Sequence, residues 1–126
     1  MCIRDRKLAP LCVAEAIGVI PYWSLASGFL TDKYRSEADL AQSPRGNAVK
    51  KYLNDRGLRI LDALDAVAKA KHAKPSQVAL AWLMARPAVT APIASATTLA
   101  QLRELMASAD VHLDTDQMDL LNRASD

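Results

Sequence analysis

Two stretches of this chain, residues 16–31 and 87–102, contain no charged side chain, and charge bounds each of them. Each opens on an apolar, β-branched run and then turns small and hydroxylated. The first reads Gly18-Val19-Ile20-Pro21-Tyr22-Trp23-Ser24, the second Ala88-Val89-Thr90-Ala91-Pro92-Ile93-Ala94-Ser95. Neither alternates polar with apolar residues, so both read as strands buried on two faces, the pattern of a parallel sheet covered by helices. The proline and the small polar residue soon after it put each strand end beside a loop. Two strands of this type cannot form such a sheet alone, because their outer edges and faces need neighbours. The expectation is a chain that needs a partner or belongs to something larger.

The remainder reads as helix. Leu8 to Ala16 is a short helix candidate with Gly18 as its terminator. From Leu58 to about Lys71, Leu58, Leu61, Leu64 and Ala68 form an apolar stripe opposite Arg59, Asp62, Asp65 and Lys69. Pro75 suits a first helical position, and the run Val78 to Met84 is apolar all round, which places Trp82 and Met84 in a core. Thr98 and Gln101 form a capping-box pattern for a helix to about Ala107; Asp114 and Gln117 repeat it for a last helix through Leu121. Leu30 to Asn54, with Ser43-Pro44-Arg45-Gly46, reads as a long polar loop, functional or disordered. Strands alternating with helices give an α/β class with a parallel sheet.

Length and charge narrow the function. A chain of 126 residues suits one ordinary globular domain, and a net charge of +2 lacks the basic excess of a nucleic-acid binder. Cys2 and Cys12 form neither a metal-ligand spacing nor a disulfide framework. No charge-free apolar run reaches the ~18 residues of a membrane span, and residues 1–7 lack a signal peptide's apolar core. Together these point to a cytoplasmic protein without metal, nucleic-acid or membrane partners. Basic residues crowd the middle (Lys33, Arg35, Arg45, Lys50, Lys51, Arg56, Arg59), whereas acidic ones dominate after Glu104. Two readings stay open: a solvated surface, or a basic loop that meets an anion.

The run Pro21-Tyr22-Trp23-Ser24-Leu25-Ala26-Ser27-Gly28-Phe29-Leu30-Thr31-Asp32-Lys33-Tyr34 resembles the pattern after the seventh barrel strand of the aldo/keto reductase family. Ser76-Gln77-Val78-Ala79-Leu80-Ala81-Trp82-Leu83 resembles that family's Q-V-A-L-A-W helix. Pro92-Ile93-Ala94-Ser95-Ala96-Thr97, with Gln101-Leu102, resembles its eighth-strand pattern. The resemblance implies an α/β fold that is part of a (β/α)8 TIM barrel: the last two strand–helix units plus a C-terminal helix. Residues 7–126 would be the C-terminal part of the domain, and residues 1–6 a non-native leader. The family's catalytic Asp, Tyr, Lys and His would lie upstream, so no catalytic residue is expected in this chain.

By the same resemblance the cofactor is NADPH/NADP+ and the substrate a small-molecule carbonyl compound. Loops after the last two strands of such barrels build phosphate sites, and a helix N-terminus there favours an anion. Tyr22 would stack on the nicotinamide, while Ser24, Leu25, Ser27 and Phe29 would line the pyrophosphate and ribose. Ser95, Ala96 and Thr97 would meet the 2′-phosphate, with Gln101 and Glu104 around the adenine. Arg45, Lys50 and Lys51 are further candidates for the 2′-phosphate, and His72 and His112 read as surface residues.

Departures from the pattern carry their own expectations. Asp32 stands where the family usually has Gly, so the loop backbone there is expected to differ. Thr97 and Leu105 stand where residues that contact the 2′-phosphate and the adenine are common, which weakens the preference for NADP over NAD. An alternative of another class is a non-catalytic, cofactor-binding partner subunit like the potassium-channel β subunits that this family resembles.

Overall fold

The computed structural model describes residues 7–42, 44 and 46–126. The expected leader at residues 1–6, Cys2, and Ser43 and Arg45 of the central loop lie outside the described residues. The first helix, α1 (Ala9–Ala14), is short and buries only Cys12, a free thiol. Its exit is made by Ala16, not by Gly18: Ala16 adopts the left-handed φ of 53°. Gly18 serves a different end. A Cβ there would fall 2.2 Å from Thr90 Oγ1, so its bare backbone lets the two charge-free segments approach.

Those segments do run side by side and parallel. Val19 N–H donates to Ala88 O (2.8 Å), Val19 O accepts from Thr90 N–H (2.9 Å), and Pro21 O accepts from Ile93 N–H (2.9 Å). The pairing is one bridge, Val19 to Val89, with no longer ladder among the described residues. Burial on two faces is therefore corrected. Pro21 and Ala88 are buried, but Ile17, Ile20 and Ile93 are exposed. The physical reason is the one anticipated for two lone strands: neither outer edge has a partner among the described residues. Beside the bridge, α1 leaves an apolar groove of about 440 Å³ between Pro10, Val13, Val19 and Val89.

The described part of the central loop is folded rather than loose. Short 3-10 turns at Ala26–Thr31, Glu37–Gln42 and Lys50–Tyr52, with α2 (Gly46–Val49), fold around a cluster of Phe29, Tyr34, Val49 and Leu61. Phe29 and Tyr52 stack with ring centroids 5.5 Å apart. Tyr34 and Val49, hidden by the segment's polar composition, thus anchor it between Phe29 before it and Leu61 on the following helix.

The main core lies among three helices. In α3 (Asp55–Lys71) Asn54 caps the start by accepting from Gly57 N–H, and His72 closes the end in the left-handed region. The helix α4 (Pro75–Met84) buries every residue from Val78 to Leu83, but Met84 at its end is exposed, against expectation. α6 (Thr115–Ser125) carries the anticipated reciprocal cap between Asp114 and Gln117. Ala63, Leu64, Val67, Val78, Trp82, Leu83 and Leu121 interlock between them. Trp82 Nε1 donates to Asn122 Oδ1 (3.0 Å) and Arg86 covers the indole face at 4.1 Å, so α6 is fastened by polar contacts too. No helix among the described residues is long and apolar enough to cross a membrane.

The fifth helix, α5 (Leu99–Met106), buries none of its side chains. Polar contacts seat it on α4 instead. Glu104 accepts from Lys74 Nζ (2.5 Å) and from Ser76 Oγ (2.6 Å), while Gln77 Nε2 donates to Glu104 O (3.0 Å).

Candidate functional site

The parallel register decides where the chemistry collects. Because Pro21 O bonds Ile93 N–H, the residues that follow each proline leave at the same end of the pair. One loop carries Tyr22 to Thr31, the other Ala94 to Thr98 with the start of α5.

In the first loop, Tyr22 is 69% exposed and its ring lies 5.3 Å from that of Trp23, tilted by 46°. An exposed ring at a segment end is free to receive a planar ligand. Ser24 is buried, at 7% exposure, and its hydroxyl donates to Pro21 O (2.9 Å), so it braces the turn. Leu25 packs, half-buried, on the main core, and the Phe29 side chain is buried in the loop's own cluster. Ala26, Ser27 and Gly28 hold φ values of 49°, 61° and 96°, an unusual left-handed run in which Ala26 N–H donates to Trp23 O (3.0 Å) and Gly28 N–H to Leu25 O (2.9 Å). Thr31 Oγ1 fastens the turn by donating to Gly28 O (2.7 Å).

Asp32 settles the question raised by its departure from glycine. It adopts φ 66°, the left-handed conformation that glycine supplies freely, so the backbone bend is made by an aspartate. Its carboxylate accepts from Arg35 Nε (2.7 Å).

In the second loop Ser95 and Thr97 are exposed and Ala96 is half-buried. Thr98 caps α5 by accepting from Gln101 N–H (3.2 Å). The reciprocal arm is shifted by one residue: Gln101 Oε1 accepts from Thr97 N–H (2.8 Å) and Thr97 Oγ1 (2.9 Å), not from Thr98. Gln101 therefore organises the loop before the helix, leaving the first-turn amides of Leu99 and Ala100 at the N-terminus.

Glu104 faces α4, with both carboxylate oxygens engaged there. Burial opposes its ionisation, but hydrogen bonds from Lys74 and Ser76 and the charges of Lys74 and Lys33 hold its carboxyl below the ordinary value. Lys33 is a cation that the choice of candidate residues passed over. It lies within electrostatic reach of α5 from the end of the first loop. Its signal was the basic run itself. Of the other basic candidates, Lys50 pairs with Glu37 (3.3 Å), and Lys51 sits over the rings of Trp23 (5.2 Å) and Tyr52 (5.0 Å). Arg45 lies outside the described residues. His72 and His112 are exposed. No group of three metal-binding side chains occurs among the described residues.

The sequence profile described as the aldo/keto reductase family matches residues 1–126. The chain belongs to the aldo/keto reductase family. An uncharacterized oxidoreductase of Mycobacterium bovis is 37% identical over 123 residues, which cover 94% of this chain and 36% of that protein. An aldo-keto reductase of Strobilurus tenacellus is 29% identical over 121 residues, 92% of this chain and 36% of that protein. A probable voltage-gated potassium channel subunit beta of Arabidopsis thaliana is 31% identical over 112 residues, 85% of this chain and 34% of that protein. This aldo/keto reductase chain thus spans about a third of the length of these relatives. Family membership implies a (β/α)8 fold, of which the described residues show one parallel bridge and the helices that pack beside it.

Proposed function

We propose that this chain is the cofactor-binding C-terminal part of an NADP(H)-dependent oxidoreductase that reduces aldehydes and ketones to alcohols. Its paired segments would be the last two strands of a (β/α)8 barrel, and the protein cytoplasmic. The single observation that carries the reading is the convergence of the two loops at one end of a parallel pair, in a chain of this family.

The residues present fit a dinucleotide. The Ser27 amide on the first loop and the first-turn amides at the Thr98-capped start of α5 offer donors to two separate anionic groups. Tyr22 offers an exposed ring face to a planar heterocycle. Ser27 offers a hydroxyl beside its amide; Ser24, Leu25 and Phe29 contribute through the turn that their side chains anchor. Ser95, Ala96 and Thr97 line the approach to α5, where the 2′-phosphate would lie. Gln101 and Glu104 would edge the adenine, Glu104 from its seat on α4. Lys33 adds positive charge between the loops. When bound, the cofactor supplies the hydride; these residues bind and orient it. The proton donor and its supporting residues would come from the preceding part of the barrel.

The channel-subunit relative favours a second reading: a partner subunit that binds the same cofactor without turnover. Assaying NADPH oxidation by the complete reading frame with a panel of model aldehydes separates the two. Turnover supports the reductase. Cofactor binding without turnover of any carbonyl compound overturns it in favour of the partner subunit.

A further inference from the structure

The turn between the first loop and the rest of the chain holds a cluster that the site itself does not use. Arg35 Nε and Nη2 both reach Asp32 Oδ1, and Nη2 also donates to Asp65 Oδ2 on α3 (2.6 Å). Asp62, one turn earlier on α3, lies 3.9 Å from Nη1. The backbone of the same residue is held from the other side. Arg35 N–H and Ser36 N–H both donate to Asp39 Oδ2, at 3.0 and 2.8 Å, and Ser36 Oγ and Gln42 Nε2 also donate to that carboxylate.

We infer that Arg35 is a positioning residue for the cofactor loop: by clamping Asp32 to α3 it holds Ser27 and Gly28 in their binding conformation. This rests on the reading of that loop as a dinucleotide site. Three ties meet in the turn. Arg35 binds it to α3. Tyr34 is buried beneath Gly28, where an added Cβ would lie 3.8 Å from its ring. The charge of Lys33 reaches Glu104 on α5. Only the first tie holds Asp32 in its left-handed geometry, which an unpaired aspartate has little reason to keep.

An isolated surface ion pair would be too weak for this work. Here one planar guanidinium, 34% exposed, serves three carboxylates at once, which a point charge cannot do. Without it, Asp32, Asp62 and Asp65 would face one another as like charges and push the turn off α3. None of these groups touches the reacting atoms in the proposed site. The consequence falls on cofactor retention and not on chemistry.

The test uses the complete protein, with NADPH binding read by fluorescence titration and its release by stopped flow. Arg35→Met should raise Kd about fivefold, chiefly through faster release, with kcat at saturating cofactor unchanged. Arg35→Lys should recover only part of the loss. Asp65→Asn, which leaves the Asp32 contact in place, should give a smaller effect, and in the Arg35→Met background it should restore part of the loss by relieving the like-charge repulsion. If Arg35→Met fails to fold, the Asp65→Asn and Asp32→Gly release rates decide. A lowered Tm with unchanged Kd and release rate would overturn the positioning role and leave a purely structural clamp. Failure of the wild-type protein to bind NADPH would show, before any variant is read, that the underlying site reading is wrong, and the inference falls with it.

Discussion

The three-helix core and the paired segments contain the same kinds of residue and treat them in opposite ways. In α3, α4 and α6 the apolar side chains close on one another: Leu64, Val67, Val78 and Leu83 are buried, and Trp82 finds a hydrogen-bond partner. In residues 17–23 and 93–106 the large apolar groups face outward, among them Ile17, Ile20, Trp23, Ile93, Leu99 and Met106. Large apolar side chains left exposed in such number suit a region made to be covered. The helical region closes most of its apolar surface on itself. The paired region, which carries the candidate site, has a shape that makes sense against further strands.

The largest effect that tests this contrast is in the core. Leu64→Ala should cost about 2–5 kcal/mol in denaturant unfolding, because the cavity among α3, α4 and α6 cannot collapse. Ile20→Ala should cost under about 0.5 kcal/mol in the 126-residue chain, where the side chain already meets water. In the complete protein the same change should cost about 1–3 kcal/mol. Equal costs in both settings would mean that nothing covers this face, and the contrast between the regions would dissolve.

Helix caps give a smaller, sharper comparison. Asn54 starts a helix whose burial the whole core depends on, so Asn54→Ala should lower stability by about 1 kcal/mol. Thr98→Ala should cost less, a few tenths of a kcal/mol, because α5 buries no side chain and can fray alone. Hydrogen exchange should accordingly be faster in α5 than in α3.

The smallest effect is electrostatic. Glu104 titrates below its ordinary value of 4.5, so its contribution is fully present above that pH and is lost as pH falls through the lower folded value. Glu104→Gln should therefore flatten the acid limb of the stability–pH curve, by about 0.5–1 kcal/mol. An unchanged acid limb would mean that Lys74 and Ser76 do not hold α5.

Much of this was readable in the chain, and the exceptions have specific causes. Helix starts at Pro75, Thr98 and Asp114 were legible because capping and proline chemistry act within a few residues. The parallel pairing followed from the absence of alternation. Burial of those segments was misjudged because pattern reports what a face is suited for, not whether a neighbour is present. Gly18 has the look of a helix stop in the sequence, but its role is close approach to Thr90, a contact across more than seventy positions. The central loop hid its anchors for the same reason: Tyr34 and Val49 meet Leu61 only in three dimensions. Family membership is clear from the motifs. The exposed ring of Tyr22 and the left-handed run at Ser27 needed the fold, as did Lys33 beside Glu104 and the reach of Arg35 to Asp65.

The central claim is that these two loops bind a nicotinamide dinucleotide. The most direct test is titration of NADPH into the complete protein and into its Tyr22→Ala and Ser27→Ala variants. The account predicts saturable binding by the wild type, weakened about tenfold in each variant through loss of ring stacking or of an anion contact. Unchanged affinity in both variants would contradict it.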